Sequence, residues 1–448
     1  MITAGLITKA LATEPNQTLD PDSCFKGISI DSRTLKAGEL FIAIRGERFD
    51  GHDYLTQAQD AGATACIIER SQAARIKELS VPTFVVEDSV QAYRRIAGAW
   101  RQRFDIPIIA VAGSVGKSSV KEIIAALLRA HYQDPTDPVL ATHGSENGFL
   151  GIAITLGKLR KHHRVAVIEI GIDKVGAMRQ HAQLVQPSMA VITTIAAEHL
   201  EGLGDIDTVC REECSLLAEV TAAEGQGVVP ASDDWIASFI ETLPAMQQSR
   251  IQRSNSIAPQ AISGLALAGE HRRHNLGLAF KSLELLGIEQ SNQLMRAALE
   301  LHPLPGRGDI RQTPDGVNLL CDHYNASPAS MHSAMQTLSE LAPEPNTRWI
   351  LCLADMLELG EQSEVLHREL TTHIAALRPL HVFLLGTDMR VLVDALQQHA
   401  LACTHTRNHA HLIDALRTLL RPEDWVLIKG SRGMHLEIVI DALMHHAH

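Results

Sequence analysis

Seven residues lie between an apolar run and an amphipathic stretch: Gly113, Ser114, Val115, Gly116, Lys117, Ser118 and Ser119. They follow IPIIAVA and precede a segment in which Val120, Ile123, Ile124 and Leu127 recur at helical spacing. A strand, a glycine-bracketed turn and a helix in that order make a phosphate cradle. Glycines let backbone N–H groups approach phosphate oxygens, and the helix N-terminus adds partial positive charge. Lys117 reaches the outer phosphates and Ser118 can ligate Mg2+. In the usual phosphate loop four residues separate a first glycine from the Gly-Lys pair. Here only Ser114 and Val115 separate Gly113, the nearest glycine, from Gly116, so the loop is a shorter variant. The plainer alternative is a tight strand-to-helix turn that merely tolerates a Gly-Lys pair.

Other residues offer related chemistry. Glu169 closes the apolar run RVAVIE, where a carboxylate is costly without a metal or cationic partner, unless it is a surface carboxylate at a strand end. Arg33 in ISIDSR can grip a phosphate in a forked geometry that lysine cannot reproduce. Lys429, Ser431 and Arg432 follow the apolar run DWVLI, where a substrate carboxylate is captured or a turn is simply solvated.

Placing such groups requires α/β layers, and the chain supplies them. Strand-like runs alternate with helical stretches throughout, as in βαβ units. A first block contains CFKGISIDSR, ELFIAIRG, ATACIIE and PTFVVED. A second contains IPIIAVAG, RVAVIEIG and MAVITTIA, suited to a buried parallel sheet. A third carries NLLCDHYN, RWILCLADM, HVFLLGT and DWVLIKGS, with small or polar residues at the carboxyl ends of its strands, the edge where open α/β sheets bind ligands. The stretch from about 228 to 272 has no pattern that places its elements.

The length of 448 residues calls for several domains. With 45% hydrophobic and 21% charged residues the chain reads as soluble and globular. A net charge of −12 disfavours binding to nucleic acid or a membrane surface. The seven cysteines form no CxxC pair, which leads us to expect free thiols in a reducing cytoplasm. The N-terminal stretch MITAGLITKALATEP does not have the pattern of a signal peptide, and the apolar runs are too short to span a bilayer.

The shortened loop, together with the segments C-terminal to it, resembles the Mur ligase family, whose members form amide bonds after phosphorylating a carboxylate. IDSRTLKAGELFIAIRGERFDGHDY resembles the family's uridine-nucleotide-binding domain. GSVGKSSVKE, VIEIG, AAEHLEGLG, RHN and PGRGDI come in the family's order, and DHYNASPASM, LADMLELGEQSEVLH and VLIKGSRGM resemble its C-terminal domain. The resemblance implies three domains. Residues 1–104 would bind the UDP-linked substrate, and residues 105–306 would form a central parallel-sheet, P-loop-type ATPase domain. Residues 307–448 would form a Rossmann-like domain closing over ATP by rotation about a linker near residue 307. It also implies ATP and Mg2+ as cofactors, a monomer, and a UDP-linked muramoyl peptide and a dipeptide amine as substrates. The segments agree best with the branch that adds D-alanyl-D-alanine during peptidoglycan precursor synthesis.

Residue by residue, the resemblance puts Ser118, Glu169 and His199 at the metal. Gly113, Ser114, Gly116, Lys117, Ser118 and Ser119 would hold the nucleotide, with Asn275, Arg307 and Asp322. Asp31, Ser32, Arg33, Asp50 and His52 would contact the uridine diphosphate. Asn147 would lie near the γ-phosphate, while Tyr324, Asn325, Lys429, Ser431 and Arg432 would face the other substrate groups. Tyr324, Asn325 and Ser330 read almost equally as a helix-capping turn.

Several positions depart from the family pattern. Glu213 stands where members carry a carbamylated lysine, supplying the same charge on a shorter stem; as a neighbour of Glu212 it also reads as part of a solvated helix face. Phe149 replaces a carboxylate, Leu278 an asparagine and Cys321 an acid. The alternatives are a divergent ligase joining another acid and amine, or a nucleotide-binding relative that has lost catalysis.

Overall fold

A computed structural model of the chain describes residues 1–46, 49–144, 146–257, 269–342 and 347–445. Chain contacts divide it into two units: Met1–Ala110 with Tyr132–Ile170 and Gln180–Ser188, and Val111–His131 with Gly171–Arg179 and Met189–His448.

In the first unit, strands Ile28–Ser29, Leu40–Ile42, Ala65–Glu69 and Thr83–Val86 form a parallel sheet in that order. Phe41, Cys66 and Ile68 pack one of its faces with Leu35, Leu55 and Ala58. A parallel pair, Val139–Ala141 with Val165–Glu169, is linked through the helix Phe149–Gly157. Val165–Glu169 is buried throughout, as its unbroken apolar run predicts. The helix Ser89–Arg101 starts where the Asp88 carboxylate accepts the Gln91 N–H at 2.9 Å.

In the second unit, Met189–Ile192, Gln226–Pro230 and Ile251–Ser254 run parallel. The last two, and the helix Asp234–Glu241, lie in the stretch whose elements the sequence did not place; residues 258–268 of that stretch fall outside the described residues. A six-stranded sheet has the order Asp309–Gln312, Asn318–Asp322, Trp425–Lys429, Trp349–Ala354, His381–Leu385, Cys403–Thr406. Its first pair is antiparallel and the rest parallel. Helices pack both faces, with Leu351, Leu353 and Leu427 on one side and Ile350, Cys352 and Ile428 on the other. The final strand of the chain, Trp425–Lys429, lies between Asn318–Asp322 and Trp349–Ala354. The order reverses there, so Asp322 and Lys429 end neighbouring strands at the edge where such sheets bind ligands. No helix among the described residues is long and apolar enough to cross a membrane.

Candidate active site

The phosphate loop leaves the strand Ile108–Ala112 and enters the helix Lys117–Tyr132. Gly113 has φ +114°, and a Cβ there would lie 2.4 Å from Thr193 Oγ1 and 2.8 Å from Thr193 N. Gly113→Ala therefore costs about 1–3 kcal/mol of strain; we expect a lowered unfolding midpoint and weakened nucleotide binding in calorimetry. Gly116 has φ +93°, and a Cβ there would lie 3.0 Å from Asn275 Oδ1. The structure thus brings Asn275, buried in the helix Glu270–Leu285, against the loop. Ser118 is buried at the helix start and Ser119 half-buried beside it. Ser114 serves the loop's own architecture: its hydroxyl donates to Ala196 O at 3.0 Å and accepts the Ala196 N–H at 2.9 Å.

Lys117 does not project into solvent. Its ammonium donates to the Gly113 carbonyl, to Ser114 O at 3.2 Å and to Glu198 Oε1 at 3.1 Å, with Glu213 Oε1 at 4.0 Å. Glu213 is 1% exposed, which rules out the solvated-face reading; its Oε2 accepts the Gly113 N–H at 2.8 Å. Burial pushes the Glu213 carboxyl up to about 7; Lys117 opposes the shift and Glu198 adds to it. Glu212 is half-buried and accepts the Gly176 N–H at 2.9 Å. Glu198, in contact with Lys117, was not singled out by sequence reasoning, although it immediately precedes His199. His199 sits in the left-handed region at φ 50°, and its Nδ1 is bonded to Glu358 of the LADMLELGE segment.

At the carboxyl edge of the six-stranded sheet, the Lys429 ammonium is buried. It donates to Asp322 Oδ2 at 2.7 Å, Asn325 O at 2.9 Å and Asp322 O at 3.3 Å. Those bonds engage all three of its protons within the protein. Lys429→Met leaves Asp322 without its cation and is expected to lower stability by about 3 kcal/mol in urea unfolding. Ser431 accepts the Leu357 N–H at 2.9 Å. Arg307 and Arg432 both lie over the Tyr324 ring, and Asn325 is exposed. Ser330 completes a capping box with Ser327, which accounts for its place in the sequence. Cys321 and Leu278 are buried; burial pushes the Cys321 thiol up to about 12, and its Sγ is a weak donor to Leu319 O at 3.9 Å.

In the first unit, Asn147 Nδ2 donates to Glu169 Oε1 at 2.7 Å, so these two expected site residues meet. Phe149 lies under the Arg94 guanidinium at 4.1 Å, and Arg94 also donates to the Phe149 carbonyl at 2.7 Å. Burial lowers Arg94 to about 10. The exposed Arg33 pairs with Asp31 at 2.7 Å, and its hydrogen bonds hold the Asp31 carboxyl down at about 2. The Ser32 hydroxyl donates to Gln57 at 3.1 Å. His52 is buried between the Asp50 carboxylate, 2.6 Å from its Nδ1, and the Glu69 N–H, 3.0 Å from its Nε2. Burial raises the Asp50 carboxyl, but hydrogen bonds from His52 and Arg45 outweigh it and bring it down to about 2. Glu47 and Arg48 of the same segment lie outside the described residues.

Three stretches match family descriptions: residues 25–101 the Mur ligase family catalytic domain, 111–282 the Mur ligase middle domain, and 306–432 the Mur ligase glutamate ligase domain. The UDP-N-acetylmuramoyl-tripeptide–D-alanyl-D-alanine ligase of Synechocystis sp. is 31% identical over 440 residues, 95% of this chain and 93% of that protein. The chain belongs to the Mur ligase family. Among solved structures, this Mur ligase is similar to MurF from Acinetobacter baumannii, with 26% identity, a TM-score of 0.84 and 99% of each chain covered. A Thermotoga maritima MurF ligase in complex with ADP shares the fold at 21% identity and a TM-score of 0.76, covering 93% of this chain and 97% of that one. The fold of this Mur ligase is α/β, with the parallel sheets of the three-domain family architecture.

Proposed function

We propose that this Mur ligase adds D-alanyl-D-alanine to UDP-N-acetylmuramoyl-tripeptide, with ATP consumed, in peptidoglycan precursor synthesis. The carrying observation is the phosphate loop: Gly113 and Gly116 at positive φ, Lys117 held at the loop, and Ser118 buried at the helix start. Near full-length likeness to a ligase of that name supports the substrate pair. A carboxylate oxygen of the tripeptide attacks the γ-phosphorus and ADP leaves. The amine of the dipeptide then attacks the acyl carbon, and phosphate departs with the oxygen that came from the carboxylate. Lys117 and the loop amides offset charge on the transferring phosphoryl group. Asn275 lines the loop, and Asp322, fixed by Lys429, faces the nucleotide from the C-terminal domain. Asp31, Ser32, Arg33, Asp50 and His52 are the residues proposed for the uridine-diphosphate side.

Mg2+ is the proposed metal, with Ser118, Glu169 and His199 as the residues for it. A hydroxyl and a carboxylate are the hard donors such an ion takes. Among the described residues no group of three or more His, Cys, Asp and Glu is arranged to cage a metal, and Mg2+ bound largely by phosphates and water needs no such cage. When bound there, the ion would supply charge neutralisation on the phosphates. The proposed domains are residues 1–104, 105–306 and 307–448, and the proposed working form is a cytoplasmic monomer. Incubation with ATP, Mg2+, UDP-muramoyl-tripeptide and D-Ala-D-Ala should release phosphate and yield the pentapeptide. The Phe149 replacement favours a second reading, a ligase for a different acid and amine; turnover only with other pairs would select it.

A further inference from the structure

Two arginines from distant segments share one aromatic ring. The Arg307 guanidinium lies 4.0 Å from the Tyr324 ring centroid, and that of Arg432 lies 4.9 Å from it. Arg307 belongs to the PGRG turn, Tyr324 to the DHYN turn and Arg432 to the KGSRGM loop. The Tyr324 backbone is fixed from both sides: its N–H donates to Gly306 O at 2.9 Å, and Lys429 holds the carbonyls of Asp322 and Asn325. The turn is therefore a rigid base from which the half-buried ring projects. The two guanidiniums carry like charge, and an aromatic face attracts each of them.

We propose that Tyr324 is a positioning residue whose ring, rather than its hydroxyl, stations Arg307 and Arg432 for the anionic oxygens of the substrates. This rests on the ligase reading above. The chemistry required of the ligand is a phosphate or carboxylate, which a forked guanidinium meets with two parallel N–H groups.

The test compares Tyr324→Phe and Tyr324→Leu with the wild type, by calorimetric titration of ADP and by steady-state kinetics with UDP-muramoyl-tripeptide varied. Tyr324→Phe keeps the aromatic face and should stay within about 2-fold in both readouts. Tyr324→Leu should weaken ADP binding or raise the KM for the tripeptide substrate by about 3- to 30-fold, the range of a cation–π contact, with kcat changing less. A loss in the ADP arm assigns the anion to the nucleotide; a loss in the KM arm assigns it to the acid substrate. Equal losses in Tyr324→Phe and Tyr324→Leu would overturn the proposal by giving the role to the hydroxyl, and so would an unchanged Tyr324→Leu. Tyr324→Met, similar in bulk and without a π face, carries the same expectation should the leucine variant not fold. ADP titration needs no turnover, so a wild-type protein that binds ADP but makes no pentapeptide would count against the ligase reading alone.

Discussion

Lys117→Ala is expected to reduce ATP turnover by at least about a hundredfold, the cost of losing one preorganised stabiliser of transition-state charge. It is also expected to lower the unfolding midpoint. A lysine in a loop looks, from sequence, like a solvent-facing group whose removal leaves packing alone. In the structure the Lys117 side chain is instead 12% exposed and stands against Glu198, itself 6% exposed, and Glu213. Without the ammonium, two buried carboxylates face each other with no cation between them, and Glu213 is driven further toward its protonated form. Phosphate release and thermal unfolding of the variant check both halves. Normal turnover would remove the phosphate-cradle reading; an unchanged midpoint would remove the buried-charge argument.

Glu213→Gln is expected to be more stable than the wild type near neutral pH. Burial raises the Glu213 pKa from 4.5 to about 7, so the folded state holds this proton more tightly than the unfolded chain does. The stabilisation from that proton is complete below pH 4.5 and is lost as pH rises through 7. Glutamine keeps an acceptor for the Gly113 N–H and carries no charge at any pH. The difference between the two proteins should therefore grow between those limits to about 3 kcal/mol. Urea unfolding of both proteins at several pH values measures it, and parallel curves for the two would contradict a buried, titrating Glu213.

Much of this arrangement was legible in the sequence because it depends on local rules. Each run singled out in the three blocks contains a strand, from the two residues Ile28–Ser29 to the six of Trp349–Ala354, and the 3.6-residue period after Gly116 forms the helix Lys117–Tyr132. The burial of Glu213 also had a readable signal. Val209, Cys210, Leu216 and Leu217 lie three or four residues from it on the helix Ile206–Ala222, which puts it on the buried stripe and Glu212 off it. Glu198 had none. It sits in an irregular loop, and its partner Lys117 is 81 residues away, so only the folded chain pairs them. The same holds for the Arg307–Tyr324–Arg432 contact and for the three bonds of Lys429. The sequence could place Lys429 at a strand end but not show that the neighbouring strand would present Asp322 to it. His52 likewise reads as a substrate ligand from its motif, while the fold engages both of its ring nitrogens internally.

The central claim is that the loop around Lys117 grips a triphosphate so that a carboxyl group becomes activated for coupling to an amine. UDP-muramoyl-tripeptide labelled with oxygen-18 in its terminal carboxylate tests it most directly, with ATP, Mg2+ and D-Ala-D-Ala present and the released phosphate analysed by mass. One labelled oxygen per phosphate is the expected result, because the acylphosphate breaks at its acyl–oxygen bond. Phosphate released without label, or released equally well when the carboxylate substrate is omitted, would contradict it.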